Sequence, residues 1–248
     1  MTACRYLVKS AALLLWLTGF LVAGQAAAET WQLRYVGLIN RLPLITADLE
    51  VALAPEAGGI AAFHAVARIA TDPNGAGAFI PFTMQLESDG GQRGGRLGPI
   101  WHRSHQLAWQ REQRVDMDYG ADGTVAVFVD PPTRATQAAL DGGLAAGTID
   151  PVTVGIALID QVMREGACRG TLPVFDGIRR YDLATVASGI EAPPARLSNA
   201  GPAHGDAVMC RLSITYLSGF PANVAQSGYY PHEIVLWGEP QLDEKKLV

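Results

Sequence analysis

The sequence predicts a mainly β protein: a curved antiparallel sheet or open half-barrel, with one amphipathic helix packed against it. Three observations predict this. Strand-length apolar or alternating runs recur from residue 31 to 129 and again from 173 to 237. Turn-forming residues separate them, above all Gly120-Ala121-Asp122-Gly123 and Asp176-Gly177. Only the stretch from Asp150 to Gly166 carries a clear helical repeat. Side chains alternate faces in a strand and recur every three to four positions in a helix, so the two patterns separate on sight.

Residues 1–28 have the order of a secretory signal peptide. Arg5 and Lys9 give a positive start, Ala11 to Ala23 are almost wholly apolar, and Gln25-Ala26-Ala27-Ala28 supplies an A-x-A-like cleavage site before Glu29. The apolar core is shorter than the roughly 20 residues a membrane-spanning helix needs. Cys4 precedes that core, so it is not placed for lipidation and leaves with the peptide. The expectation is a single β-rich domain over residues 29–248, located in the bacterial periplasm. Loss of Arg5 and Lys9 takes the formal net charge from −5 to −7. A mildly acidic chain is a poor match for nucleic acid or an anionic membrane surface. No second long apolar segment follows, so no transmembrane segment is expected in the mature chain.

A domain of this size buries about 70% of its unfolded surface and needs no metal to fold. Cys168 and Cys210 remain after processing. An even count in an oxidising compartment predicts one disulfide, the alternative being two buried thiols. Closing that loop is worth roughly 4 kcal/mol in the chain-entropy model. Without a C-x-x-C spacing, a redox role is not expected.

Residues 31–39 and 44–53 form the first expected hairpin, joined by Asn40-Arg41-Leu42-Pro43. Residues 60–70 fit helix or strand, and the neighbouring strands favour strand. Pro81 confines residues 79–87 to an edge position or a strand start. Residues 113–119 and 124–129 flank a turn at 120–123, and TVAVFV is apolar enough for burial on both faces. Residues 131–149, rich in Pro, Gly and Ala, read as a long surface connection.

Asp150 is a good N-cap and Pro151 suits the first helical position. Val152, Ile156, Ile159 and Met163 make the apolar stripe of the helix. Asp160, Gln161, Arg164 and Glu165 lie mostly opposite, and Gly166 ends it. Asp176-Gly177 then predicts a two-residue type I′ turn. In that register Phe175 faces Ile178, Val174 faces Arg179 and Pro173 faces Arg180. Residues 189–205 read as a loop. In 208–217, Cys210, Leu212, Ile214 and Tyr216 share one face, and 234–237 form the last strand.

These residues resemble a known family. Tyr35 to Leu38 give an aromatic-x-Gly-Leu segment, and Asp150-Pro151 opens the helix. Cys168 to Leu183 read C-x-x-x-x-P-V-F-D-G-x-R-R-Y-D-L, and Cys210, Gly219 and Phe220 follow. Together they resemble the exported bacterial proteins grouped as domain of unknown function 3108 (DUF3108). The core V-F-D-G-x-R-R-Y-D-L is the specific part. The sequence departs where Asn40-Arg41-Leu42-Pro43 follows Gly37-Leu38 in place of a second small residue. The resemblance implies an envelope location and a curved antiparallel sheet with a helix; it implies no activity.

Two regions carry candidate binding chemistry. Asp176, Arg179, Arg180 and Asp182 surround the hairpin, with Tyr181 between them. Alternation sends Arg179 and Arg180 to opposite faces, so one guanidinium points inward and requires a carboxylate, with Asp182 on the same face as Arg180. The cluster reads either as an ion pair that fixes the hairpin or as a fork for a planar anion. Arg93, Arg96, Arg103, Arg111 and Arg114, with His102, His105, Trp101 and Trp109, form the second region. It reads as a solvated hairpin with a Trp on the core, or as a basic aromatic surface in which Trp101 and Arg103 bind a partner or a sugar.

No metal site is expected. His102 and His105 would share a helical face but lack a third ligand. His64, His204 and His232 are isolated. No G-x-S-x-G marks a serine nucleophile, and Gly90-Gly91 and Gly94-Gly95 stand in a turn-rich segment rather than a phosphate loop. No motif requires a cofactor, and no catalytic residue is nominated. The functional expectation is a non-catalytic envelope binding or assembly factor, with an envelope protein, lipid or polysaccharide as partner. The alternatives are a carrier of lipid or another hydrophobic ligand, which needs an apolar hollow, and a hydrolase of an envelope polymer. The hydrolase needs two or three of Asp176, Asp182, His102, His105 and Glu112 in one cleft.

Overall fold

The computed structural model describes residues 29–39, 42–56, 59–72, 81–93, 95–191, 207–221, 223 and 230–238. The expected signal peptide, Cys4 and His204 lie outside the described residues. Seven strands form one antiparallel meander in sequence order: β1 (Glu29–Ile39), β2 (Leu42–Glu56), β3 (Gly59–Thr71), β4 (Phe82–Arg93), β5 (Arg96–Ala108), β6 (Arg111–Tyr119) and β7 (Val125–Asp130). Helices α1 (Arg134–Asp141) and α2 (Pro151–Glu165) follow. Strands β8 (Thr171–Phe175), β9 (Arg180–Glu191), β10 (Ala207–Ser218) and β11 (Glu233–Gly238) make a second antiparallel sheet, in the order β11-β10-β9-β8. The protein is mainly β with open sheets and a helix packed on them, as its sequence predicts, and the strands divide between two sheets.

Alternation builds the first sheet. Val51, Leu53, Phe63, Ala65, Ala67 and Leu86 point inward and pack against Val152, Ile156 and Ala157 of α2. The other side of the helix meets the second sheet: Val154 and Leu158 pack with Val174, Leu183, Val208, Leu212 and the cysteines. The predicted Cys168–Cys210 disulfide is formed, with Cα atoms 5.8 Å apart. A helix between two layers needs two apolar faces, which corrects the single stripe read from spacing. Val152 and Ile156 are buried, but Met163 is 53% exposed and Asp160, placed on the outward face, is 1% exposed. The caps hold as predicted: Asp150 accepts from the Val152 and Thr153 N–H groups, and Gly166 closes the helix.

Several boundaries differ from the sequence reading. Leu42 and Pro43 belong to β2, so the first connection is two residues shorter. Gly90 and Gly91 lie within β4, with Gly90 beneath the Phe63 ring, so they are not part of a turn. The connection 131–149 contains α1, which buries Thr136 and Ala139. Strand β7 is covered on one side only; Phe128 is 57% exposed on the other, because no layer lies outside that face. Residues 189–191 continue β9, and the rest of the loop read from 192 onward lies outside the described residues up to 206.

The Asp176-Gly177 hairpin forms with a different register. Phe175 faces Arg180, Val174 faces Tyr181 and Pro173 faces Asp182. The loop therefore has four residues, Asp176 to Arg179, rather than two. Asp176 explains this: its Oδ1 accepts from the N–H of Ile178 (2.9 Å) and Arg179 (2.6 Å), and its own N–H donates to the Arg179 carbonyl (3.1 Å). An aspartate that caps its own turn competes with the type I′ geometry.

Gly177 sits at φ 89°, where a Cβ would come within 2.2 Å of Val115 Cγ1 on β6. Gly177→Ala combines a left-handed backbone with a core collision and should destabilise the protein by about 2–4 kcal/mol. Urea unfolding checks this. Adding Val115→Ala should recover part of the loss, because it relieves the collision but not the backbone strain.

Candidate functional site

The most concentrated polar chemistry lies inside the protein. Asp150, Ser88 on β4 and His102 on β5 are 0–1% exposed. The Ser88 hydroxyl donates to Asp150 Oδ1 at 2.9 Å, so its oxygen accepts from the His102 Nδ1–H at 2.8 Å. His102 Nδ1 also stands 3.1 Å from the same carboxylate oxygen. Val152 and Thr153 donate their N–H groups to Asp150 Oδ1, and the Thr153 hydroxyl donates to Oδ2. In a serine triad the hydroxyl and the carboxylate engage opposite ring nitrogens. Here both engage Nδ1 in a sealed interior, so the cluster is a structural lock. Burial alone would raise the Asp150 carboxyl. Hydrogen bonding and charge from His102, with the bonds from Thr153, outweigh it and hold the carboxyl below its ordinary value.

His102 and His105 lie on strand β5 and not on a helix, so they point to opposite faces. His105 pairs with Glu112 at 2.7 Å, with both side chains more than half exposed. His102 is bound to the Asp150 lock. Asp176 caps the hairpin turn and Asp182 pairs with Arg180 at 2.7 Å. The five groups named for a hydrolase are thus shared among four separate structural tasks. Among the described residues, no three His, Cys, Asp or Glu side chains form a metal-binding group.

The five arginines do not make one basic patch. Arg93 donates to the Tyr119 and Gly120 carbonyls. Arg103 lies between Asp116 (3.6 Å) and Asp118 (3.8 Å), and Arg114 is also 3.6 Å from Asp116. The Arg103 guanidinium sits 4.9 Å from the Trp101 ring centroid, so one face of the ring is already taken. His64 is tilted against Trp101 and pairs with Asp89 at 3.2 Å. Around Arg103 and Arg114 the outer face of the first sheet is therefore charge-compensated. Trp109 is 60% exposed at the β5–β6 turn, so it is not a tryptophan packed on the core.

The hairpin tip offers a different arrangement. Arg180 is the inward guanidinium. Its Nε donates to the Leu144 carbonyl, and its Nη1 donates to the Tyr181 carbonyl and Asp182 Oδ1. Its side chain is only 11% exposed, so these bonds hold it as an internal brace. Arg179 points the other way and is 44% exposed, with Asp176 Oδ2 at 3.7 Å. Its guanidinium lies 5.9 Å from the Phe220 ring centroid. Phe220 packs edge-on to Tyr216 (4.5 Å), Tyr230 (5.6 Å) and Tyr181 (6.2 Å), and Tyr216 also meets His232 (6.2 Å). Burial raises the Tyr181 phenol, with Asp176 adding to it, and burial raises Tyr216 as well. Both therefore remain neutral hydrogen-bonding rings.

Gly219 brings the two halves of this site together. A Cβ there would fall 2.2 Å from the Ile178 carbonyl oxygen, so the turn and the segment after β10 approach backbone to backbone. The sequence reading found Arg179, Tyr181 and Asp176. It missed Tyr216, Tyr230 and His232 as a group, and Ser88 with Asp150. Gly219-Phe220, read only for its place in a motif, was the available signal for the first set. Val152, Thr153 and Val154 in succession signalled a helix start buried on all sides.

Comparison with family models, curated proteins and solved structures returned no match. The resemblance to domain of unknown function 3108 therefore rests on the quoted residues alone.

Asp150 has a depressed carboxyl in the folded protein and an ordinary one, near 3.9, when unfolded. Its contribution is complete above about pH 4 and is lost as pH falls through the folded value. Asp150→Asn should lower stability by about 3–5 kcal/mol at pH 6 and flatten the acid limb of the stability curve. Urea midpoints from pH 6 to pH 3 measure both effects. A variant with the parent midpoint at pH 6 contradicts the lock.

Proposed function

We propose that the chain is an exported, non-catalytic binding or assembly factor of the bacterial envelope, with its contact surface at the end of the second sheet. The observation that carries this reading is Arg179 held half-exposed over Phe220 on a hairpin fixed by Asp176. An arginine fork on an aromatic floor suits a carboxylate or another planar anion, and aromatic and arginine side chains dominate the binding energy of contact surfaces. The disulfide supports an oxidising compartment, and the periplasm is the compartment that the N-terminal sequence pattern favours. No helix among the described residues is long and apolar enough to cross a membrane.

The same geometry favours binding over the two alternatives. A lipid carrier needs an apolar hollow, whereas Val152, Val154, Ile156, Ala157 and Leu158 of α2 fill the space between the sheets. A polymer hydrolase needs converging acids and bases, and those named for it are occupied elsewhere in the fold.

In-cell crosslinking with a general protein crosslinker, together with the deletion phenotype, tests the proposal. Arg179→Ala and Phe220→Leu should each weaken crosslinking to an envelope component, and Arg179→Ala should leave the thermal midpoint within a few degrees of the parent. Arg180→Ala should instead lower that midpoint, because three acceptors, two of them part-buried, lose their donor. Unchanged detergent and antibiotic sensitivity on deletion, together with no crosslinked component, would count against the proposal.

A further inference from the structure

The free edge of β7 has the construction of a receptor for an added strand. Among the described residues, strand β7 pairs with β6 and with no other strand. The Gly120 N–H donates to the Thr124 carbonyl at 2.9 Å, which fixes the phase of the ladder. Hydrogen-bonded and non-hydrogen-bonded pairs alternate from that point. Ala126, Phe128 and Asp130 therefore exchange backbone bonds with β6, while the N–H and C=O groups of Val125, Val127 and Val129 point away from it. Among the described residues, nothing pairs with the outward groups of Val127 and Val129.

A groove of about 360 Å³ runs beside that edge. Four consecutive residues, Val127 to Asp130, line it, so it follows the strand edge and not one face of the sheet. Thr136, Gln137 and Leu140 of α1 form the opposite wall. Helix α1 is fixed in place: the Thr136 hydroxyl donates to the Gly177 carbonyl at 2.9 Å, and Ala139 is fully buried against the β6–β7 core. The groove is thus part of the folded framework. Its walls are apolar at Val127, Val129 and Leu140. Its exposed acid, Asp130, has no ion-pair partner among the described residues, and Phe128 stands exposed beside it.

We propose that this groove binds an extended segment of another polypeptide, which adds to β7 as an eighth strand of the first sheet. Unpaired backbone groups at alternate residues select an extended chain. The apolar walls select aliphatic side chains at every second position, and Asp130 selects a lysine or arginine at the facing end. Helix α1 forms a wall along this edge, so the occupant argued for is a single strand. This surface is separate from the Arg179 site, and the inference does not depend on that reading.

The test uses the oxidised, processed protein and the probe peptide acetyl-Thr-Val-Thr-Val-Thr-Lys-amide, followed by amide chemical shifts. The expected result is saturable shifts centred on Val127 and Val129, with a glutamate-for-lysine peptide binding more weakly. Val127→Pro removes an outward N–H and spares the β6 ladder, so binding should fall by about tenfold or more. Gln137→Trp fills the groove from an exposed helix position and should do the same without a change in thermal midpoint. Three outcomes would overturn the proposal: no shifts at these amides at millimolar peptide, binding retained in both variants, or dimerisation through β7 in sedimentation.

Discussion

The Asp150 carboxylate is held from three directions in a place closed to solvent: by the Ser88 hydroxyl, by the His102 ring at 3.1 Å, and by the first turn of α2. The residue before it is tied to the second sheet. The Ile149 N–H donates to the Pro173 carbonyl, and the Phe175 N–H donates to the Ile149 carbonyl. Two adjacent residues therefore join both sheets to the helix between them. Burying an ionised carboxylate costs several kcal/mol, and only a full set of donors offsets that. Four donors meet here with the His102 ring beside them, so the arrangement is stable as a set and costly to break singly. Asp160 repeats the device further along α2, accepting from the Ile60 N–H at the start of β3 and pairing with Arg164. Apolar packing would leave the helix free to slide or rotate between the sheets; two buried acids set its position along the first sheet.

The exposed features inherit their geometry from this frame. Strand β8 is held to Ile149, so the hairpin that follows it is carried to a defined place. Its tip lies under Val115 through Gly177 and against the segment after β10 through Gly219. Thr136 bonds to Gly177, which holds α1 beside the β7 edge. The hairpin thus positions Arg179 over Phe220 on one side and supports the wall of a groove on the other.

Much of the fold was legible because its local signals agree with its final structure. Alternation located β10, the neighbouring strands decided β3, the turn at 120–123 located β6, and the Asp150-Pro151 start with Gly166 located α2. The disulfide followed from cysteine count. What was not legible depends on tertiary contact. The hairpin register turned on the side chain of Asp176 capping its own loop, which a dipeptide rule ignores. Asp160 was placed outward because it is charged, yet it follows Ile156 by one turn on the face that meets the first sheet, where it accepts from the Ile60 N–H. The outer-face arginines read as a patch in one dimension, yet strand pairing set Arg103 and Arg114 beside Asp116. Ser88 and His102 are 14 residues apart, and only the β4–β5 register brings them together. At the hairpin, Arg179, Tyr181 and Asp176 could be named from sequence, whereas Tyr216 and Tyr230 arrive from another strand and the segment before β11.

Hydrogen exchange at the Val152 and Thr153 amides tests the central role of Asp150 most directly. Both donate to the buried carboxylate, so at neutral pH they should exchange only through global unfolding, together with core amides of β4 and β5. In Ser88→Ala or His102→Ala that protection should drop as a unit with those strands. Fast local exchange at the two amides in the parent protein, with β4 and β5 still protected, would contradict the account.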